Sequence, residues 1–273
     1  MKKQSFIIGL LLILTPLGST LFSKTGLAFA SSGLIFSPSS ELLAYTKKSS
    51  DGFFINNGNN KYDSNDYQGA IEEFTKAIEI DPNSEEAYFM RGNSKYQLQD
   101  YEGAIEDFTK AIEINPNSEE AYFMRGYAKY DLENFEGSIL DLSKAIELDP
   151  NNGYTYYERG LAKYQLEDFE SALEDFTKAL EIMPSDDYVK LMRGLTKYDL
   201  EDYEGAIGDL TNLLKSDPYL DTEEYAEALF YIGAAKLNLE DYGGCADINQ
   251  AVERVEEAEY PWVNSIEVDF CAN

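Results

Sequence analysis

Four arginines recur along this chain at one fixed interval, Arg91, Arg125, Arg159 and Arg193, and an aspartate trails each of them: Asp107, Asp141, Asp175 and Asp209. A guanidinium meeting a carboxylate makes a strong bidentate, charge-assisted hydrogen bond, so the pattern points to recognition by charge. Two uses are open. The arginine and aspartate pair within one structural unit, or the arginine grips a carboxylate of a partner. The first is the leading expectation, because both columns fall at the same level if each unit is a pair of antiparallel helices. Buried pairs of this kind say more about register than about stability. Where the first unit should carry the pair, Asn57 and Glu73 stand instead, so arginine and aspartate are lost together.

No other constellation carries reactive chemistry. The chain has no His, two Cys and no glycine-rich phosphate loop, so nucleophile–base pairs, zinc clusters and nucleotide cradles cannot be assembled. With 51 Asp and Glu in the sequence, any chosen pair of carboxylates is better read as a solvated helix face than as an acid–base dyad. The stretch from Asp51 to Asp66 is rich in Asn and Asp but lacks the alternating order, Gly and closing Glu of a calcium loop. The expectation is therefore a non-enzymatic protein with no cofactor and no bound metal.

The net charge of −29 and pI near 4.2 exclude nucleic acid as a partner, since affinity for phosphate backbones comes from Lys and Arg releasing counterions. Anionic membrane surfaces are disfavoured for the same reason. With 21 Tyr and 15 Phe among 273 residues, the chain is too aromatic for an acidic disordered segment.

The elements that must position the charged columns follow from a period. Pro82, Pro116, Pro150, Pro184 and Pro218 share one step of 34 residues, as do Gly58, Gly92, Gly126, Gly160 and Gly194, the tyrosines from Tyr62 to Tyr198, and Ala77, Ala111, Ala145 and Ala179. A repeat of this length must be settled before any other fold argument. Within the unit 85–118, Asn83 and Glu86 give a capping-box-like start to a first helix reaching about Leu98. Asp100 is a good N-cap for a second helix, in which Tyr101, Ala104, Ile105, Phe108, Ala111 and Ile112 recur at helical spacing, and Asn115-Pro116 ends it. One such pair cannot cover its own apolar stripe, so the units must stack.

These columns resemble the tetratricopeptide repeat: an aromatic at Tyr88, Gly92, Ala104, an aromatic at Phe108, Ala111 and Pro116 occupy the family's signature spacing. The wording of the repeats, Arg91-Gly92 and Lys95-Tyr96 before Asp100-Tyr101-Glu102-Gly103-Ala104-Ile105, looks most like cyanobacterial members. The resemblance implies an all-α, right-handed superhelical solenoid of about six antiparallel helix pairs: 51–84, 85–118, 119–152, 153–186, 187–220 and a degenerate 226–252. Residues 31–50 read as a linker and 253–273 as an atypical C-terminal cap. The first helix of the first unit, Asp51 to Asn60, is a poor helix former by propensity and is expected to be absent or to act as a frayed cap. After Pro218 the register slips by five residues, and Cys245-Ala246-Asp247-Ile248 falls one residue short.

The family resemblance also implies that first-helix residues form a concave partner-binding surface. By matching position these are Phe89, Met90, Asn93 and Tyr96; Phe123, Met124, Tyr127 and Tyr130; Tyr157, Leu161 and Tyr164; and Leu191, Met192, Leu195 and Tyr198. An aromatic and Met-rich groove suits an apolar peptide or amphipathic helix. The competing reading of the tyrosine column is packing against the next repeat. Some family members grip a peptide's terminal carboxylate with Lys and Asn here, but Phe89, Phe123, Tyr157 and Leu191 stand where that Lys would be, so this activity is not carried over.

At the N-terminus, Lys2 and Lys3 precede the apolar run Phe6 to Leu14, and Ala28-Phe29-Ala30 closes the segment. This reads as a signal peptide, 1–30, cut between Ala30 and Ser31, which places the protein in a periplasm, a thylakoid lumen or outside the cell. The alternative is an uncleaved membrane anchor, against which Thr15, Pro16 and Gly18 break the run short of a spanning helix. In an exported compartment, Cys245 and Cys271 are candidates for a disulfide; the alternative is a small buried residue and an unrelated thiol. The functional expectation is a scaffold or adaptor holding another protein's segment. The rival expectation is an acidic structural module that binds basic proteins or divalent cations through its outer face.

Overall fold

The computed structural model describes residues 27–30, 33–36, 40–216 and 222–256. The chain divides into two compact units, Met1–Met90 and Arg91–Asn273.

The first unit opens with a short antiparallel hairpin, β1 (Leu27–Ala30) with β2 (Gly33–Phe36), in which Ala30 lies opposite Gly33. The body of the expected signal peptide lies outside the described residues; of the expected cleavage pair, Ala30 ends β1 and Ser31 lies outside them. Next come α1 (Ser40–Asp63) and α2 (Tyr67–Ile80). Two expectations are corrected here. Residues 31–50 are not a plain linker, because β2 and the first turns of α1 occupy most of them. Nor is the helix from Asp51 to Asn60 absent or frayed: it continues α1 in spite of its propensities. Packing overrides them, since most helical stability in proteins comes from tertiary contacts rather than propensity. Ile55 is buried with Ala70, Phe74, Ala77 and Ala87, and Phe54 and Met90 close the edges of that cluster. Gly58 lies so near the Phe74 ring that a Cβ there would come within 2.5 Å of it.

The unit boundary falls inside α3 (Glu85–Gln97). The second unit continues with α4 (Tyr101–Ile114), α5 (Glu119–Asp131), α6 (Phe135–Leu148), α7 (Gly153–Gln165), α8 (Phe169–Ile182), α9 (Asp187–Asp199), α10 (Tyr203–Ser216), α11 (Thr222–Asn238) and α12 (Gly244–Glu256). From α5 onward each odd-numbered helix packs on the even-numbered helix before it and on the one after it, and α5 with α7 and α9 with α11 also touch directly. The described helices thus form the expected run of helical hairpins, and α11 begins earlier than the degenerate sixth unit was placed. Phe108, Leu142, Phe176 and Leu210, one per hairpin, are fully buried on the even-numbered helices. The glycine facing each one explains the Gly column: a Cβ on Gly160 would lie 2.7 Å from the Phe176 ring.

Caps and turns are made by short polar side chains. Asp100 accepts the Gly103 N–H at 3.1 Å, and Asp66, Asn134, Asp168 and Asp202 repeat the bond at the starts of α2, α6, α8 and α10. The start of α3 differs from expectation. Ser84 accepts the Ala87 N–H at 3.3 Å, while Asn83 donates its own N–H to Asp81, so the cap is Ser84. Between the helices of a pair the chain turns on a residue in the left-handed conformation: Asn65, Gln99, Glu133, Glu167, Glu201 and Glu240 all have φ near +60°. Gln99 donates to the Tyr96 carbonyl and Asp100 to the Lys95 carbonyl, the pair of bonds of a Schellman turn. Glycine would be the easy residue there; its absence is why this turn gives little signal in the sequence.

Candidate partner-binding face

The charged columns meet inside the hairpins. Arg91 donates to Asp107 through Nε at 2.8 Å and a terminal guanidinium nitrogen at 2.7 Å, and the same bidentate fork joins Arg125 to Asp141, Arg159 to Asp175 and Arg193 to Asp209. A further column, unremarked in the sequence, completes each cluster. Lys95, Lys129, Lys163 and Lys197 reach the same aspartates at 2.7 to 2.8 Å. These lysines lie four residues after each arginine, one helical turn along the same face, so their shared 34-residue step was the available signal. In the first unit Glu73 takes the aspartate's place, held by Lys61 and by Lys76. In the last hairpin Lys236 pairs with Asp247 at 2.6 Å, so the pair persists although the spacing is one residue shorter. Arg125 and Arg159 also donate their remaining nitrogen to Thr109 and Ser143 on the preceding even-numbered helix, tying neighbouring hairpins together. The arginines are therefore engaged within the fold.

The expected groove residues separate into three groups. Leu191 and Leu195 are core: both are about nine-tenths or more buried among Leu210, Leu213, Ala228 and Ile232. They leave the groove because Leu213 replaces the small alanine of other repeats and α11 packs closely over it. Met90, Tyr157, Leu161, Tyr164 and Met192 are partly buried against apolar clusters beneath them. Phe89 in the first unit, and Asn93 and Met124 in the second, are partly exposed.

The tyrosine column acts as a row of struts. Tyr96, Tyr130, Tyr164 and Tyr198 each set their ring against the aromatic that opens the following helix, Tyr101, Phe135, Phe169 and Tyr203, at 5.2 to 5.5 Å between centroids. Their hydroxyls then reach the next hairpin. Tyr96 donates to Asp131 and Tyr164 to Asp199 at 2.5 Å, whereas Tyr130 and Tyr198 accept from Gln165 and Asn238 at 3.4 Å. Burial, reinforced at Tyr96 and Tyr164 by the facing carboxylates, pushes the ionisation of all four phenols above the usual tyrosine range. The packing alternative thus describes this column, and the polar partner one repeat further on was the overlooked signal.

What remains open to a ligand is the face shared by α5 and α7. Phe123 and Tyr127 stack at 6.0 Å with their planes 14° apart, and Tyr127 stacks in turn on Tyr96 at 5.5 Å. One residue on this face was not singled out from the sequence. Glu158 occupies the column otherwise filled by Met90, Met124 and Met192. It is partly buried and makes no hydrogen bond or ion pair among the described residues. Burial, assisted by the negative charge of Asp131, pushes its carboxyl up to about 7. The signal was the break in the methionine column itself.

Cys245, at the start of α12, is in disulfide form; Cys271, its expected partner, lies outside the described residues. Among the described residues no helix is long and apolar enough to cross a membrane, and no group of three or more Cys, Asp or Glu is arranged to hold a metal ion.

Comparison with known proteins identifies the class. Family models described as TPR repeat match residues 58–99, 92–132 and 126–167, and models described as tetratricopeptide repeat match 153–186 and 191–262. The chain belongs to the tetratricopeptide repeat family. No curated protein matches it. Among solved structures it is similar to PilF of Pseudomonas aeruginosa, at 18% identity and a TM-score of 0.64 over 78% of this chain and 94% of that one. It is also similar to MamA of Desulfovibrio magneticus RS-1, at 19% identity and a TM-score of 0.60 over 63% and 97%. A third similar structure is YrrB, described as a TPR protein with an unusual peptide-binding site, at 20% and 0.59 over 70% and 94%. These likenesses establish the fold. Proteins of this family mediate protein–protein and peptide binding, and scaffolds built from it are typically non-enzymatic.

Proposed function

We propose that this protein is an exported, non-enzymatic scaffold that holds a segment of another protein on the face formed by α5 and α7. The observation that carries the reading is the aromatic stack of Tyr96, Tyr127 and Phe123. Partly exposed rings held rigid by one another offer apolar contact area with little side-chain entropy left to lose. The charged clusters support the same assignment from the other side, since Arg125, Lys129, Arg159 and Lys163 are all engaged with Asp141 and Asp175. Those cations are not offered to a terminal carboxylate. Export rests on the N-terminal sequence pattern, Lys2-Lys3, the apolar run and Ala28-Phe29-Ala30. The test is affinity capture with the mature chain from its own envelope fraction, in parallel with a Phe123→Asp, Tyr127→Asp variant. A partner retained at ~0.5 M salt, where surface charge is screened within a few ångströms, and absent from the variant is the expected result. Equal recovery by both chains would sink the reading.

A further inference from the structure

Glu158 differs from most acids of the described helices in the company it keeps. Most others lie on solvated faces, cap helices or close the Arg–Lys–Asp clusters, but this carboxylate projects from the middle of α7 at a position that three other repeats give to methionine. Its surroundings are aromatic and anionic. Its charge is felt by Tyr127 and Tyr130 of α5 and by its neighbour Tyr157, each of which is made a weaker acid by burial and by Glu158 together, and Asp131 at the end of α5 adds a second negative charge. The cations nearest in sequence are turned away: Arg159, the next residue, faces α8 to meet Asp175, and Arg125 and Lys129 meet Asp141. A partly dehydrated carboxylate with no counter-ion is unfavourable unless something supplies one.

We propose that Glu158, framed by Tyr127, Tyr130 and Tyr157, receives the ammonium or guanidinium group of a lysine or arginine in the partner segment, with the rest of that segment lying on the apolar Phe123–Tyr127 stack. This deepens the scaffold reading above and rests on it. The fit is chemical as well as electrostatic. A tyrosine face attracts a cation within about 6 Å, the more so when water is excluded, and a long basic side chain lays its methylenes along apolar rings while its head reaches the acid. A partner acid would be repelled, and a wholly apolar segment would leave the carboxylate buried and unpaired. Specificity therefore arises from what the site rejects as much as from what it attracts.

A random twelve-residue phage-displayed peptide library panned against the intact mature chain decides the matter. The wild type is expected to enrich peptides in which one Lys or Arg is flanked by apolar residues. Glu158→Gln should lose the basic preference while still enriching apolar peptides, and a synthetic peptide from the wild-type selection should bind the variant at least roughly tenfold more weakly, tenfold being the low end of the coupling between close charge pairs. Glu158→Met, which restores the residue of the neighbouring repeats, serves as the second variant and should behave alike. Apolar peptides without basic enrichment in all three selections would overturn the role of Glu158 and leave the groove intact. Selection of no peptides by any chain, or selection indifferent to Phe123→Asp, would overturn the groove and this inference with it.

Discussion

Glu158 and Asp175 are two carboxylates of one helical hairpin with opposite fates. Asp175 is nearly fully buried, yet every feature of its environment completes it: Arg159 grips both oxygens and Lys163 adds a third contact at 2.7 Å. Glu158 is less buried and has no such partner. Glu158 does not share the Asp175 cluster, because consecutive helix residues point about 100° apart and it is Arg159 that is turned to Asp175. The inside of a hairpin is closed electrostatically; the side of α7 turned to α5 is not. In a protein whose units repeat so faithfully, a carboxylate left open in a single repeat is where individuality resides.

The largest expected effect tests the closed side. Asp175→Ala removes the shared acceptor and leaves Arg159 and Lys163, whose side chains are 18% and 16% exposed, as uncompensated charges. Breaking a buried pair from one side costs about 3 to 5 kcal/mol, to be read as a loss of unfolding free energy in urea. A loss below about 1 kcal/mol would mean that water already solvates the cluster and that the contrast with Glu158 is one of degree.

A smaller effect of opposite sign is expected on the open side. The Glu158 carboxyl sits near 7 in the fold against an ordinary value of 4.5, so the folded state holds this proton to higher pH than the unfolded chain does. The group therefore costs almost nothing below about pH 4.5, and its penalty builds as pH rises from there to about 7 and is complete above it. Glu158→Gln should match the wild type at pH 4.5 and exceed it by about 2 kcal/mol at pH 8, somewhat less than the whole shift converts to, since the carboxylate keeps some water. Thermal melts across that range provide the measurement. Equal stability at pH 8 would show that the carboxylate is solvated, and the case for a missing counter-ion would weaken.

The same contrast marks how far the sequence could be read. The hairpins, their caps at Asp100 and its equivalents, and the Arg–Asp columns were legible because each depends on spacing within one or two units, and a period of 34 repeats the message. The Lys column carried the same periodic signal and follows from the helical turn that separates Lys163 from Arg159. Burial of Leu191 and Leu195 was not legible. It depends on Leu213 and on the closeness of α11, where the register slips and periodic inference loses its footing. Helix α1 was misjudged because propensity is local, whereas the contacts of Ile55, Phe54 and Gly58 with α2 are tertiary. Glu158 was passed over for the reverse reason: attention to what recurs hides a position that does not.

The finest test lies between the closed and open sides, in the tyrosine struts. Tyr164 donates to Asp199 at 2.5 Å, and Asp199 is itself held above the usual carboxylate range by burial, against the opposing pull of that bond. Tyr130 instead accepts a 3.4 Å bond from the neutral side chain of Gln165. Both rings keep their packing on Phe169 and Phe135 when the hydroxyl is removed, so Tyr→Phe isolates the polar contact. A hydrogen bond to a charged group is worth more than one between neutral groups. Tyr164→Phe should cost about 1 kcal/mol and Tyr130→Phe a few tenths, with the gap closing as Asp199 is protonated toward low pH. If the two variants were equal at pH 7 and stayed so at pH 4, the charge on Asp199 would contribute nothing to the strut. The hairpins would then be joined by ring packing and the Arg125 and Arg159 bridges to Thr109 and Ser143.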